Sequence, residues 1–182
     1  MNSNKEEGSI LLGFLALYET SSNDGYLGAI IITDFQGIPQ EFRYTQPVKP
    51  TAIQKTLYGN SLELYIGVNL CGIPLIQLLA NKPSLVFVQN EFLLGVRTSI
   101  SCPVTSIRRA EGDIGVESPF KGSKMETIDC SSGRFQPIIV STHPDFSDDL
   151  TSIKEVLAKV FVYLDPIEPF KRMEKAIRDM VE

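Results

Sequence analysis

The amino-acid sequence predicts one mixed α/β domain, of the α+β or mixed α/β class. Three observations carry this prediction: strand-like runs joined by tight turns near the N-terminus, a helix-rich central segment, and two amphipathic stripes at the C-terminus. A chain of 182 residues, 43% of them hydrophobic, can bury its own core without disulfides or metals. We expect a single domain over residues 1–182, with a sheet-containing core over 1–145 and a helical unit over 146–182.

The N-terminal third is typical of an antiparallel β-meander. Apolar runs over 10–18 and 26–35 are separated by a turn signal that ends in Asp24-Gly25, and a third run over 38–45 follows Gln36-Gly37. The first two runs are apolar throughout, so we expect both of their faces to be covered.

The middle of the chain predicts helices followed by short strands. Pro47 and Pro50 stop the sheet, and apolar residues recur at helical spacing over 52–79 with interruptions by glycine and proline. Two short strands over 85–88 and 102–107 are compatible with a parallel pair. Two further runs, over 125–130 and 135–142, predict a hairpin around a Ser-Ser-Gly turn.

The C-terminal segment predicts two amphipathic helices. Apolar residues recur every three or four positions over 150–164, and Asp165-Pro166 ends one helix and begins the next. The second stripe consists of Ile167, Phe170, Met173, Ile177 and Met180. This stripe adds more apolar surface than one small core needs, which favours self-association or a protein partner.

Charge and cysteine content restrict the class of protein. The formal net charge of −5 argues against a dedicated nucleic-acid binder, which usually carries a basic stripe. The cysteines Cys71, Cys102 and Cys130 are odd in number and widely spaced, which favours a reducing compartment. The polar, acidic start is no signal peptide and no apolar run is long enough to span a bilayer, so we expect a cytoplasmic protein without a membrane partner.

The common motifs of enzymes are missing from the sequence. It contains no glycine-rich phosphate loop, no Gly-x-Ser-x-Gly elbow and no Cys-x-x-Cys or His-x-x-x-His pair. The acidic cluster of Asp145, Asp148 and Asp149 has the oxygen ligands that magnesium prefers. Helix capping and the helix dipole explain the same three residues, so we expect neither a metal nor a cofactor.

His143, the only histidine, is the first candidate for chemistry. It lies where a predicted strand ends, which is where active sites gather in α/β folds, and an imidazole there could act as a general acid or base. With Asp145 and Asp34 it defines a hypothetical small enzyme with a non-standard site. The favoured interpretation is a loop histidine that is hydrogen-bonded to the backbone near Asp145.

A second candidate is an anion site near the start of the central helices. Arg43 and Lys49 place positive charge beside Thr51, a predicted helix N-cap, where an anion or a nucleotide could bind. Pairing of Arg43 with Glu41 is the favoured alternative.

Three functions therefore remain from the sequence. The first is a non-catalytic protein-interaction or assembly subunit of an intracellular complex, which docks or oligomerises through the stripe from Ile167 to Met180. The second is the small enzyme around His143, and the third is an anion- or nucleotide-binding sensor. The sequence favours the first, because no catalytic motif supports the second.

Overall fold

The computed structural model describes residues 10–20, 25–110 and 120–181. It contains a seven-stranded mixed sheet of order β3-β2-β1-β4-β5-β7-β6, covered by helices on both faces, which confirms the predicted mixed α/β class. The strands are β1 (Leu11–Glu19), β2 (Tyr26–Asp34), β3 (Pro39–Tyr44), β4 (Leu85–Val88), β5 (Val104–Arg109), β6 (Met125–Ile128) and β7 (Ile138–Thr142). The α-helices are α1 (Ala52–Tyr58), α2 (Leu62–Tyr65), α3 (Ile73–Gln77), α4 (Asp149–Val160) and α5 (Glu168–Val181).

The N-terminal strands form the predicted meander. β1 pairs with β2, and β2 with β3, both antiparallel. Every residue of β2 between its two ends is buried, because helices cover both faces of this strand as its continuous apolar run requires. Gly37 makes the β2–β3 turn at a φ of 84°, a conformation that glycine adopts without strain. Residues 21–24, where the sequence predicts the first turn, lie outside the described residues.

The other strands continue the sheet from β1. β4 is parallel to β1, and β5 is parallel to β4, as the two short strands suggested. β6 and β7 form the predicted antiparallel hairpin, and β7 pairs with β5. One row across the sheet thereby joins Leu15, Val88, Ser106 and Ser141.

The two C-terminal helices cover one face of the sheet. The apolar stripe of α5 lies in the core: Phe170, Met173 and Ile177 are buried, and the Phe170 ring meets Phe14 of β1 edge-on at 5.5 Å. Ile167 is half-buried against the same core, while Met180 is 48% exposed. The prediction that this stripe docks a partner is therefore wrong, because the sheet itself covers most of it.

The opposite face carries a broken helical layer. After α1 come a 3₁₀ turn (Gly59–Ser61), α2, a π-helix (Ile66–Gly72) and α3. Pro74 lacks an N–H and its ring would clash with the carbonyl four residues back in a regular helix, which accounts for the wider turn before it. The π-helix approaches β2 so closely that a Cβ on Gly28 would lie 2.5 Å from the Cβ of Cys71.

A 3₁₀ segment, Glu91–Ser99, completes this second layer and ties it to α4. Arg97 makes a bidentate ion pair with Asp149, with distances of 2.6 Å from Nε and 3.2 Å from Nη2 to the two carboxylate oxygens. The Arg97 guanidinium also lies 4.0 Å from the centre of the Phe146 ring. Within the described residues, no helix has the length and apolar character needed to cross a membrane.

Candidate functional site

Two tyrosines stand out on the surface of the broken layer. Tyr58 ends α1 and Tyr65 ends α2, and their ring centres are 4.9 Å apart at an angle of 36°. Each of the two residues is 37% exposed. Leu57 and Ile53 on α1 are more than two-thirds exposed, so this surface is apolar as well as aromatic.

A surface hollow of about 150 Å³ opens beside the two rings. Its lining consists of Val48, Lys49, Pro50, Gln54, Tyr58, Leu62, Tyr65, Ile66 and Leu70. Two backbone hydrogen bonds of 2.7 and 2.9 Å between Val48 and Tyr26 fix one wall to the start of β2. Leu62 and Ile66 continue inward to a small core that includes Leu17 of β1, so the hollow lies beside the carboxyl end of β1. We call the hollow and its two tyrosines the tyrosine face.

The ends of β1 and β4 meet next to this layer. Asn90, just after β4, accepts a 3.1 Å hydrogen bond from the Leu17 N–H through its side-chain oxygen. Glu91 accepts a hydrogen bond of 3.3 Å from the Ser141 hydroxyl, which is 2.5 Å from the Ser106 hydroxyl. This small network links the 3₁₀ segment Glu91–Ser99 to β7 and β5 and satisfies two buried serines.

Acidic, histidine and cysteine side chains are the groups that would bind a metal ion here. A catalytic metal ion needs carboxylate, histidine or cysteine ligands that converge on it. Across residues 10–20, 25–110 and 120–181, no three histidine, cysteine, aspartate or glutamate side chains lie close enough together to hold a metal ion. In the predicted acidic cluster, Asp149 pairs with Arg97 and the Asp145 side chain is 80% exposed. The predicted acidic cluster is therefore not assembled as a three-ligand site among the described residues.

The structure brings two of the three predicted acid–base residues together, since His143 Nδ1 lies 3.8 Å from Asp145 Oδ2, but Asp34 is distant from both. His143 is buried between Phe120 and Phe146, and its Nδ1 accepts a 3.2 Å hydrogen bond from the Asp145 N–H, so it caps the short 3₁₀ turn Pro144–Phe146. Asp34 lies at the end of β2, with three strands between it and β7, and caps its own turn by accepting the N–H groups of Gln36 and Ile38.

The predicted anion-site residues have partners within the chain. Arg43 Nε lies 2.5 Å from Glu41 Oε1, the pairing that the sequence favoured. Burial opposes ionisation of Glu41, but hydrogen bonds from Asn81, Arg43 and Ala80 hold its pKa down at about 2. Thr51 and Gln54 form a reciprocal capping box at the start of α1, which occupies two of the N–H groups that an anion would use. Lys49, the third predicted anion-site residue, lines the tyrosine face.

Comparison with known proteins identifies the fold. No protein-family model and no curated protein sequence matches the chain. Solved structures do: human ENDOV superposes with a TM-score of 0.57 at 15% identity, covering 96% of this chain and 85% of that one. This is the fold of Endonuclease V. The Streptomyces avermitilis Endonuclease V gives 0.54 at 13% identity, covering 97% and 85% of the two chains.

A third structure with this fold contains nucleic acid. It is the D234N variant of Ciona intestinalis Endonuclease V, in complex with a DNA 23-mer that contains an inosine followed by a ribo-adenosine. It superposes with a TM-score of 0.54 at 15% identity, covering 94% of this chain and 85% of that one.

These neighbours correct two expectations from the sequence. The hypothesis of a non-catalytic protein-interaction or assembly subunit is wrong, because nearly the whole chain has the fold of a nuclease and the supposed docking stripe is core. The expectation against nucleic acid as a partner is wrong for a related reason: a net charge of −5 sums the whole surface and says little about one face of it.

Sequence reasoning missed the tyrosine face. Apolar and aromatic residues at helical spacing over 52–79 predict a buried stripe, and nothing in that spacing distinguishes Tyr58 from a core residue. The one signal in this stretch is that two lysines, Lys49 and Lys55, precede two tyrosines, Tyr58 and Tyr65, a mixture of cations and aromatic rings that also occurs on surfaces that bind single nucleic-acid strands.

Proposed function

We propose that this protein acts on nucleic acid and binds a nucleic-acid strand at the tyrosine face. The observation that carries the proposal is the Endonuclease V fold, which spans nearly all of the described chain. Beside the carboxyl end of β1, the tyrosine face offers exposed aromatic rings and Lys49, with Lys55 nearby on α1. The three cysteines of the protein are free. Because thiols stay reduced in the cytoplasm, we include a cytoplasmic location in the proposal.

Phosphate contacts at this face predict a measurable salt dependence. Each phosphate neutralised by a lysine releases counterions, so the logarithm of the binding constant falls linearly with the logarithm of the salt concentration. Lys49 and Lys55 together predict a slope of about −1.4 on a single strand. The slope is shallow because the face carries only a few cations, which agrees with the acidic net charge.

The experiment is a titration of labelled DNA and RNA strands with the protein at several salt concentrations, followed by fluorescence anisotropy. The double variant Lys49→Gln/Lys55→Gln should weaken binding and flatten the salt slope. The matched control is Lys171→Gln/Lys175→Gln, which removes two exposed lysines from α5 on the other face of the sheet and should leave the slope unchanged. Absence of salt-dependent binding to any strand would contradict the proposal.

The same samples test for strand cleavage. Incubation with Mg²⁺ or Mn²⁺ and separation of the strands on a denaturing gel measures scission directly. Cleavage that survives removal of the metal would point to chemistry by the protein's own groups, and metal-dependent cleavage would show that a metal ion takes part in the reaction.

A further inference from the structure

We infer, on the basis of the proposed function, that Tyr58 and Tyr65 form a stacking site for an unpaired base, so that the preferred target is single-stranded nucleic acid. Two aromatic rings held together at 4.9 Å in a core would bury their faces against neighbours. Here each tyrosine keeps more than a third of its surface in solvent. Bases stack on exposed aromatic rings with little regard to sequence, since every base has a π-face.

The hollow beside the rings has the chemistry of a base site. Leu62, Ile66 and Leu70 give it an apolar wall, and Lys49 stands at its rim as a partner for the phosphate next to a stacked base. The described residues that line it include no carboxylate. Glu63, the nearest acid along α2, accepts a 3.4 Å hydrogen bond from the Tyr26 hydroxyl.

The stacking geometry selects single strands over duplexes. Within a duplex, each base is stacked on its neighbours and paired on its edge, so its face is not available to a side chain. A single strand presents those faces directly, and its backbone can bend to bring a phosphate toward Lys49.

A second aromatic pair provides an internal control. Phe42 and Tyr44 on the edge strand β3 lie 5.9 Å apart at 32°, and Tyr44 is 45% exposed, so the pair resembles the first in geometry and exposure. The hollow beside Tyr44 is lined by Leu27, Thr45, Gln46, Pro47, Ile177 and Met180, none of which is charged. Stacking with a phosphate contact is therefore expected at Tyr58 and Tyr65 and not at Tyr44.

The test measures anisotropy with three labelled probes: an oligothymidylate, an abasic strand of the same length, and a duplex. The wild-type protein should bind the oligothymidylate most tightly. Tyr58→Leu and Tyr65→Leu should each weaken that binding by roughly ten-fold and abolish the preference over the abasic strand, whereas Tyr58→Phe and Tyr65→Phe should retain it. Tyr44→Leu should bind like the wild type. Leucine is a good helix former, and thermal denaturation checks that each variant is folded.

A measurement on the unmodified chain guards against variants that do not fold. Ultraviolet cross-linking of the wild-type protein to a bromodeoxyuridine strand, followed by peptide mapping, should place the cross-link on Tyr58 or Tyr65. Equal affinity for the abasic strand and the oligothymidylate overturns the stacking site, and the proposed function still stands if Lys49→Gln/Lys55→Gln weakens binding. A cross-link confined to peptides outside the tyrosine face overturns the stacking site and the proposed location of the nucleic-acid strand. Failure of all three probes to bind overturns both.

Discussion

The two helical layers of this protein use their apolar residues in opposite ways. On the C-terminal face, α4 and α5 run for 12 and 14 residues, and their stripes, from Ile153 to Ile177, are buried against the sheet. On the central face, α1, α2 and α3 are only 7, 4 and 5 residues long. There Leu57 remains 77% exposed and Ile53 71%, although their spacing is just as helical.

The difference shows what an unbroken helix contributes. A helix of three or more turns keeps an apolar stripe pointed at one surface, so periodicity alone decides which side chains are buried. Where a 3₁₀ turn and a π-helix change the number of residues per turn, the stripe rotates away from the sheet. Tyr58 precedes the 3₁₀ turn and Tyr65 precedes the π-helix, and both side chains remain partly exposed.

The largest expected effect comes from truncating one apolar side chain to alanine in each layer. Phe170→Ala should lower the free energy of unfolding by about 3–4 kcal/mol, because it opens a cavity beside Phe14 in the core. Leu57→Ala should change it by less than about 0.5 kcal/mol, because the side chain is already in solvent. Urea denaturation of the two variants measures both values, and similar losses would show that the layers are packed alike.

The second prediction concerns the link between the layers. Arg97→Met should cost about 2–3 kcal/mol, because it leaves the mostly buried Asp149 without its bidentate partner and removes the cation–π contact with Phe146. Arg178→Met is the matched control, since its pairing with Glu174 is an exposed i,i+4 contact. Equal stability of the two variants in urea would mean that Arg97 does not join the layers.

The regular parts of this fold could be predicted from the sequence, and the irregular parts could not. The continuous apolar run of β2 predicted a strand covered on both sides, and the stripes around Ile153 and Phe170 predicted the C-terminal helices. The sheet order could not be read in the same way, because the parallel pairing of β1 with β4 joins strands that lie far apart in the chain. Local periodicity contains no information about such pairings.

The candidate site was hidden for a related reason. Tyr65 directly precedes the π-helix, and Gly28 permits the close approach of that helix to β2; neither feature follows from residue spacing. His143, by contrast, was predicted as a candidate acid–base residue because it is the only histidine in the chain. The structure gives it a local cap and two aromatic neighbours.

A smaller effect is expected in how the stability of each layer depends on pH. The folded pKa of Glu41, about 2, lies below its ordinary value of 4.5, so the carboxylate stabilises the fold above pH 4.5 and this contribution is lost as the pH falls toward 2. Glu41→Gln should therefore cost about 1–2 kcal/mol at neutral pH, because Glu41 ties β3 to the end of the central layer at Ala80 and Asn81. The difference from wild type should shrink in acid.

Urea midpoints measured across that pH range check the Glu41 prediction. Glu168→Gln serves as the control on the C-terminal layer, since Glu168 forms an exposed i,i+4 pair with Arg172 and should give a small difference at every pH. If the urea midpoints of the wild type and of Glu41→Gln differ by the same amount down to acid pH, the low pKa of Glu41 is contradicted.

The smallest effect is expected at His143, where the sequence placed its first candidate for chemistry. His143→Ala removes the acceptor for the Asp145 N–H and the ring between Phe120 and Phe146, which should cost about 1 kcal/mol. The residue lies at the end of β7, whereas the tyrosine face lies beside the end of β1, with β4 and β5 between the two strands. The His143→Ala protein should therefore bind single-stranded nucleic acid with the affinity and the salt slope of the wild type. Tyr58→Leu should instead lose affinity for nucleic acid while its free energy of unfolding stays unchanged. A folded His143→Ala protein that no longer binds or processes nucleic acid would move the functional centre from the broken layer to the β7 end, and would show that a buried capping histidine also serves the reaction.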